Sequence, residues 1–166
     1  MGTVRDQGAF ESRHPLVGLV DETIRLNSRL RSVFGTARAG CALNDSEHMV
    51  LNAVVEAERI DGRAPTVAQI GRSMGQARQL VQRAANALRD AGLIESFDNP
   101  DHKRAALLRP TPAGVALKRE IDARADEIAE QLVPGLDPEE IRAAASALRV
   151  LRKQIEARLR QSAGAR

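Results

Sequence analysis

Fifteen residues, from Ala77 to Ala91, constrain the fold of this chain more than any others. Val81, Ala84, Ala85 and Leu88 fall at i, i+3, i+4 and i+7, the spacing of a buried helical stripe. Gln79, Gln82, Arg83 and Asn86 repeat that spacing displaced by two residues, about 200° around the helix, and form a polar stripe on the opposite face. So sharp a division requires a helix that lies on a core and offers its other side outward. Gly92 stops it. Ahead of it, Thr66 and Gln69 make a capping box that opens a short helix with Val67 and Ile70 inward, and Gly75 marks the turn between the two. Further upstream, Asn44-Asp45-Ser46 offers N-cap residues to a helix over roughly 46–58, in which Met49, Val50, Ala53, Val54 and Ala57 keep the 3.6 period until Gly62 to Pro65 break it. Downstream, 93–97 and 105–109 are short enough for strands. Asp98-Asn99-Pro100-Asp101 supplies turn chemistry between them, and Lys103 and Arg104 make the loop basic.

Long helical patterns flank this middle section. From Pro15 to about residue 37, Leu16, Val20, Ile24, Leu30 and Phe34 form an apolar stripe that Leu19, Leu26 and Val33 widen, which implies burial against more than one neighbour. Beyond Thr111-Pro112 a fifth helix extends to about 132 and ends at Pro134-Gly135. A last helix starts with Asp137 as N-cap and Pro138 in the first turn and runs to about 161. Its Ile141, Ala144, Leu148, Leu151, Ile155 and Leu159 step mostly by three and four, as a packing or dimer seam does. Residues 1–14 show no period and read as a flexible tail, with a second short tail at 163–166. The fold class is therefore mainly α with a small β-hairpin.

Composition narrows the function. At 166 residues, 43% of them hydrophobic, the chain is large enough for one domain with a real core, and no run approaches the 18 or so apolar residues of a membrane helix. The start is polar, without the apolar segment of a secretory signal, and a single cysteine, Cys41, rules out an internal disulfide framework; the cytoplasm is the expected compartment and no membrane partner is expected. No catalytic triad can be assembled from one Cys and three scattered His (His14, His48, His102), and no phosphate-cradling glycine loop is present, so an enzyme is not expected. Asp45, Glu47 and His48 are the only local cluster with metal-ligand chemistry, and acids are common at a helix N-terminus anyway; no metal and no cofactor are expected. A net charge of +3 says little, but from Gly62 through Arg89 there are five arginines (Arg63, Arg72, Arg78, Arg83, Arg89) and no acid. Such a field suits phosphate, with a solvated helix face as the alternative reading of the charge alone.

Helix, helix, tight turn, helix and hairpin is the order of a winged helix-turn-helix, whose helix after the turn enters the major groove. The polar stripe has matching chemistry, since Arg pairs bidentately with guanine and Gln or Asn with adenine. The scarcity of aromatics, 2% of the chain, argues against single-strand stacking and for double-stranded DNA.

The stretches TVAQIGRSMG, RQLVQRAANALRDAGLIE and DNPDHKRAALLRPTPAG make the segment from Leu43 to Gly114 resemble the DNA-binding domain of the MarR family of bacterial transcription regulators. The resemblance implies a winged helix-turn-helix lobe over 43–110, flanked by dimerisation helices over 15–40 and 111–162. It implies that Arg78, Gln79, Gln82, Arg83 and Asn86 face bases and phosphates, that Lys103 and Arg104 form a wing tip reaching the adjacent minor groove, and that Thr66 and Arg72 contact the backbone. It also implies a homodimer on a pseudo-palindromic operator, a repressor more than an activator, and a small-molecule effector; Asn27, Arg31 and Phe34 on the first helix are candidates to line its cleft. The chain departs from the family pattern in having Ala77 and Leu80 where a hydroxyl is common, His102 where Asp is common before the basic pair, and Pro110 where Leu is usual, which predicts an irregular end to the second wing strand. Two other readings stand beside the regulator. One is a non-catalytic winged helix that binds protein, the other a redox sensor acting through Cys41, although Cys41 follows the first helix and the chain lacks the tyrosines of the family's oxidant-sensing branch.

Overall fold

The computed structural model describes residues 14–38, 40–101, 104–132 and 134–164. The chain divides into two compact units, Met1–Gly40 and Cys41–Arg166. In the first, α1 (Pro15–Phe34) begins where His14 caps it, its Nδ1 accepting from the Leu16 N–H at 3.2 Å, and it passes at Gly35 into a short 3-10 turn, Gly35–Arg38, so the α-helix is shorter than the pattern predicts. No residue of α1 is buried.

The second unit contains α2 (Asp45–Asp61), α3 (Val67–Met74), α4 (Arg78–Asp90), strands β1 (Ile94–Phe97) and β2 (Leu107–Pro110), α5 (Pro112–Leu132) and α6 (Pro138–Gly164). It is a winged helix with a small two-stranded antiparallel hairpin in an otherwise helical chain. Capping boxes open α2 on Asn44 and α3 on Thr66, each cap reciprocated by the acid or amide three residues on. The break between α3 and α4 depends on Gly75, whose φ of 63° lies in the left-handed region that side chains disfavour, while the Gln76 N–H donates back to the Gly71 carbonyl at 2.8 Å.

One core holds these elements. Val50, Leu51 and Val54 of α2 meet Ile70 of α3, Val81, Ala84, Ala85 and Leu88 of α4, and Ile94 and Leu108 of the hairpin. The α4 stripe is the one the periodicity predicts. Leu51 falls outside the predicted α2 stripe yet is fully buried, because α2 packs against α4 on one side and against β2 and α5 on another. Each fully buried Leu, Ile or Val contributes about 1.5–3 kcal/mol. Pro110 does not disorder the second strand: it closes the ladder opposite Ile94 as a buried end residue, a position where its missing N–H is tolerated. The last helix continues through Gly164, past the predicted end near 161.

Two links join the end of α4 to the start of α5. The Thr111 hydroxyl donates to the Gly92 carbonyl at 2.7 Å and the Thr111 N–H to the Leu93 carbonyl at 3.0 Å. Gly114 then lies so close to this turn that a Cβ there would sit 2.0 Å from the Leu93 carbonyl oxygen.

Candidate nucleic-acid interface

The surface is assembled around α4. Its buried stripe points one way, and Gln79, Gln82 and Arg83 are exposed on the far side with Asn86 half-buried among them. The Gln82 Nε2 donates to the Asn86 Oδ1 at 3.1 Å, one helical turn apart, so the two amides hold each other and the Gln82 oxygen and the Asn86 NH₂ stay outside this bond. Ala77 occupies the N-cap of α4 without a side-chain hydrogen bond, leaving the first backbone N–H groups of this helix to other partners.

The polar residues of α4 serve different sides of it. Arg78, Gln82, Asn86 and Arg89 face the hairpin across a notch of about 110 Å³, closed on the other side by Ser96 and Arg104 and at its base by the start of α3. Arg83 lies on the opposite flank, where it shares a shallow groove with Asn44 to Glu47 at the start of α2. Gln79 stands between these sectors, about 100° from Arg78.

A wider groove of about 1190 Å³ runs along the outward face of the hairpin and α3, and Arg63, Arg72, Arg78, Arg104 and Arg109 line it with Asp101. The wing that forms its floor is firmly seated. The Leu108 N–H donates to the Pro65 carbonyl at 2.9 Å and Thr66 bridges Leu107, so residues 65–66 act as a third edge to the hairpin. On the outward face the Arg109 guanidinium stacks 4.5 Å over the Phe97 ring and its Nε lies 3.6 Å from the Glu58 carboxylate. At the tip, the Asp101 N–H donates to the Asn99 side-chain oxygen at 3.0 Å in an Asx turn.

Most of the residues expected from the sequence therefore lie on one contiguous surface: Arg72, Arg78, Gln82, Asn86 and Arg104, with Gln79 and Arg83 beside them. Thr66 is placed differently. It is 7% exposed and its hydroxyl accepts the Gln69 N–H in capping α3, while the residue lines the base of both the notch and the wider groove. Lys103 and His102 lie outside the described residues. Asn27, Arg31 and Phe34 share one face of α1, the first two exposed and Phe34 half-buried. Cys41 is half-buried. Both Glu47 oxygens accept from Asn44, through its N–H and its side-chain amide, so the acidic cluster with Asp45 and His48 is accounted for by helix capping. Arg63, Arg89 and Arg109 were not singled out from the sequence as site residues. The first and second bound the acid-free stretch and carried that signal, whereas Arg109 joins the surface only through strand register.

A further cavity, about 420 Å³, opens between the C-terminal half of α2 and α5. Within it Lys118 is buried and paired with Asp122, and Arg59 hydrogen-bonds Glu56 at 2.7 Å. That hydrogen bond, reinforced by the positive charges of Arg59 and Lys118 and opposed by partial burial, holds the Glu56 carboxyl below the usual glutamate range.

Residues 43–105 match a model of the MarR family. The chain is therefore similar to the MarR family in its winged helix over these residues. Over 90 residues, 54% of this chain, it is 39% identical to an uncharacterized protein of Mycobacterium tuberculosis, Rv2011c, and the matched part spans 63% of that relative's length, less than two thirds. The fold is similar to that of a MarR-family transcriptional regulator from Rhodococcus sp. RHA1, with a TM-score of 0.71 at 16% identity over 85% of this chain and 96% of that one. It is also similar to BpsR of Bordetella bronchiseptica, whose DNA binding is regulated by 6-hydroxynicotinic acid (TM-score 0.64, 23% identity, 81% and 98% covered). Among the described residues, no helix is long and apolar enough to cross a membrane.

Proposed function

We propose that this chain is a sequence-specific, ligand-responsive transcriptional regulator that binds double-stranded DNA as a homodimer and represses from a pseudo-palindromic operator. The observation that carries the reading is the continuity of one basic surface, from the outward amides and arginines of α4 across the notch to the wing, on a MarR-family fold. In this reading α4 enters the major groove, where Gln79, Gln82, Arg83 and Asn86 meet base edges, while Arg104 and Lys103 follow the wing tip into the adjacent minor groove. Arg72 and Arg78 hold the phosphates that set the register. The apolar side chains exposed along α1 and α6 support a second copy as partner, and a two-fold dimer sets its recognition helices about 34–36 Å apart, one turn of B-DNA. An effector is supported by the regulated relative BpsR, and Asn27, Arg31 and Phe34 are the residues of α1 proposed to meet it.

The test is an electrophoretic titration on a duplex selected from a random pool and on its scrambled counterpart. If the dimer neutralises about 6–10 phosphates, affinity falls by about 10³ to 10⁵ between about 50 and 200 mM salt. Arg83→Ala is expected to lose preference for the selected duplex, and Lys103→Ala to weaken both duplexes alike. Equal losses on both duplexes for Arg83→Ala would remove it from base reading, and absence of binding at low salt would remove DNA as the partner.

A further inference from the structure

The notch between α4 and the wing gathers Arg78, Gln82, Asn86 and Arg104, each expected to meet DNA, together with Arg89, which the sequence does not single out, and the charge lining it is of one sign. Arg78 and Arg89 reach it from α4 and Arg104 from the wing, Gln82, Asn86 and Ser96 add amide and hydroxyl groups, and no acidic side chain lines it among the described residues. Val67 and Ala68, whose N–H groups precede the first intrahelical bond of α3 from the Ile70 N–H to the Thr66 carbonyl, form part of its base. Three guanidiniums brought around about 110 Å³ repel one another unless an anion lies between them.

We infer that this notch is a seat for a single DNA backbone phosphate, with Arg89 as a contact residue for it. The inference rests on the DNA-binding reading and follows from it by geometry. The backbone is what separates a major groove from the next minor groove, so a protein with α4 in one and the wing tip in the other must straddle a strand, and the notch is the space between the two. Arg89 stands two turns along α4 from Gln82, on the side facing the wing, with its side chain half-exposed. Its approach to the exposed Asp90 at 3.5 Å is a weak surface pair that a phosphate displaces. A phosphate held here fixes the depth and angle of α4 without reading a base. Arg89 therefore contributes affinity on every sequence and preference on none.

The experiment compares wild type, Arg89→Gln and Arg89→Lys by fluorescence anisotropy on the selected and scrambled duplexes across salt concentrations, with thermal melts to verify folding. Arg89→Gln is expected to raise Kd about tenfold on both duplexes and to reduce the salt slope by about 0.9 per subunit, with Arg89→Lys recovering most of both. A scan of single uncharged methylphosphonate linkages through the selected duplex should then find one position per half-site that weakens wild type but costs Arg89→Gln nothing further. Loss confined to the selected duplex would make Arg89 a base reader and overturn the seat, as would an unchanged Kd and slope. If wild type itself shows no salt-dependent DNA binding, the underlying DNA reading fails instead, and the variants are not needed to see it.

Discussion

The lobe from α2 to the wing and the two long terminal helices obey different rules. In the lobe, ten side chains from five elements close a single core, and each element is stopped by a cap, a glycine or a strand register that its own sequence supplies. In α1 no residue is buried, and in α6 none is buried over residues 138–162, although Leu16, Val20, Ile24 and Leu30 in the one and Ile141, Leu148, Ile155 and Leu159 in the other leave large apolar areas exposed. A helix packed against nothing gains little from its apolar face. The lobe is thus folded by its own contacts, while the terminal helices leave their apolar rows exposed, the kind of surface that a partner covers in other proteins.

The strongest way to test that contrast is to add one methyl group in each region. Gly114→Ala forces a Cβ to within 2.0 Å of a backbone oxygen, with neither the Leu93 carbonyl nor the Thr111 links free to yield, and is expected to cost about 3 kcal/mol or more. Gly35→Ala, at a right-handed φ of −56° with open space around the new methyl, should be neutral or slightly stabilising. Urea denaturation followed by circular dichroism measures both, and equal effects would erase the distinction.

The second test moves to association. Leu148→Glu combined with Ile155→Glu places charges on the exposed α6 row without touching the lobe core. Sedimentation velocity is expected to show a dimer for wild type and a monomer for the double variant. The lobe, reported by near-native dispersion of its core methyl resonances, should remain folded. A variant that stays dimeric would assign the exposed row to some other partner.

The same contrast explains what was legible in the sequence. The α4 stripe, both capping boxes and the turn at Gly75 are local signals, carried by spacing of three or four residues, and each appears where the pattern predicts it. Leu51 was missed because its burial depends on β2 and α5 arriving from more than 50 residues away. Arg109 and Glu58 were missed for the same reason, since nothing in either segment announces that strand register brings them within 3.6 Å. The capping box at Thr66, by contrast, is a local signal, and its hydroxyl accepts the Gln69 N–H as that pattern predicts. The notch required the separation of α4 from the wing, which no single element encodes.

A smaller effect tests the uncapped start of α4. Ala77 sits in an extended conformation that suits an N-cap yet offers no acceptor, so Ala77→Ser should stabilise the lobe by about 1 kcal/mol, a Tm increase of a few degrees. If DNA phosphates use the same N–H groups, the serine also changes affinity, and melts with and without duplex separate the two contributions.

The smallest expected effect lies in the cavity between α2 and α5. Glu56 is held below the ordinary glutamate pKa by the hydrogen bond from Arg59, so folding favours its ionised form. Because the folded pKa is the lower one, this contribution is complete above the unfolded value of about 4.3 and is lost as the pH falls through the folded pKa. The pair lies at the surface, with side-chain exposures of 67% for Arg59 and 34% for Glu56, so solvent screens most of its worth. Glu56→Gln is therefore expected to lower Tm by no more than about 1 °C at pH 7, and to melt with wild type once the pH has fallen below the folded pKa of Glu56. A difference that persisted or grew in acid would mean that the glutamate stabilises α2 through packing, placing this edge of the lobe with its core instead of with its surface.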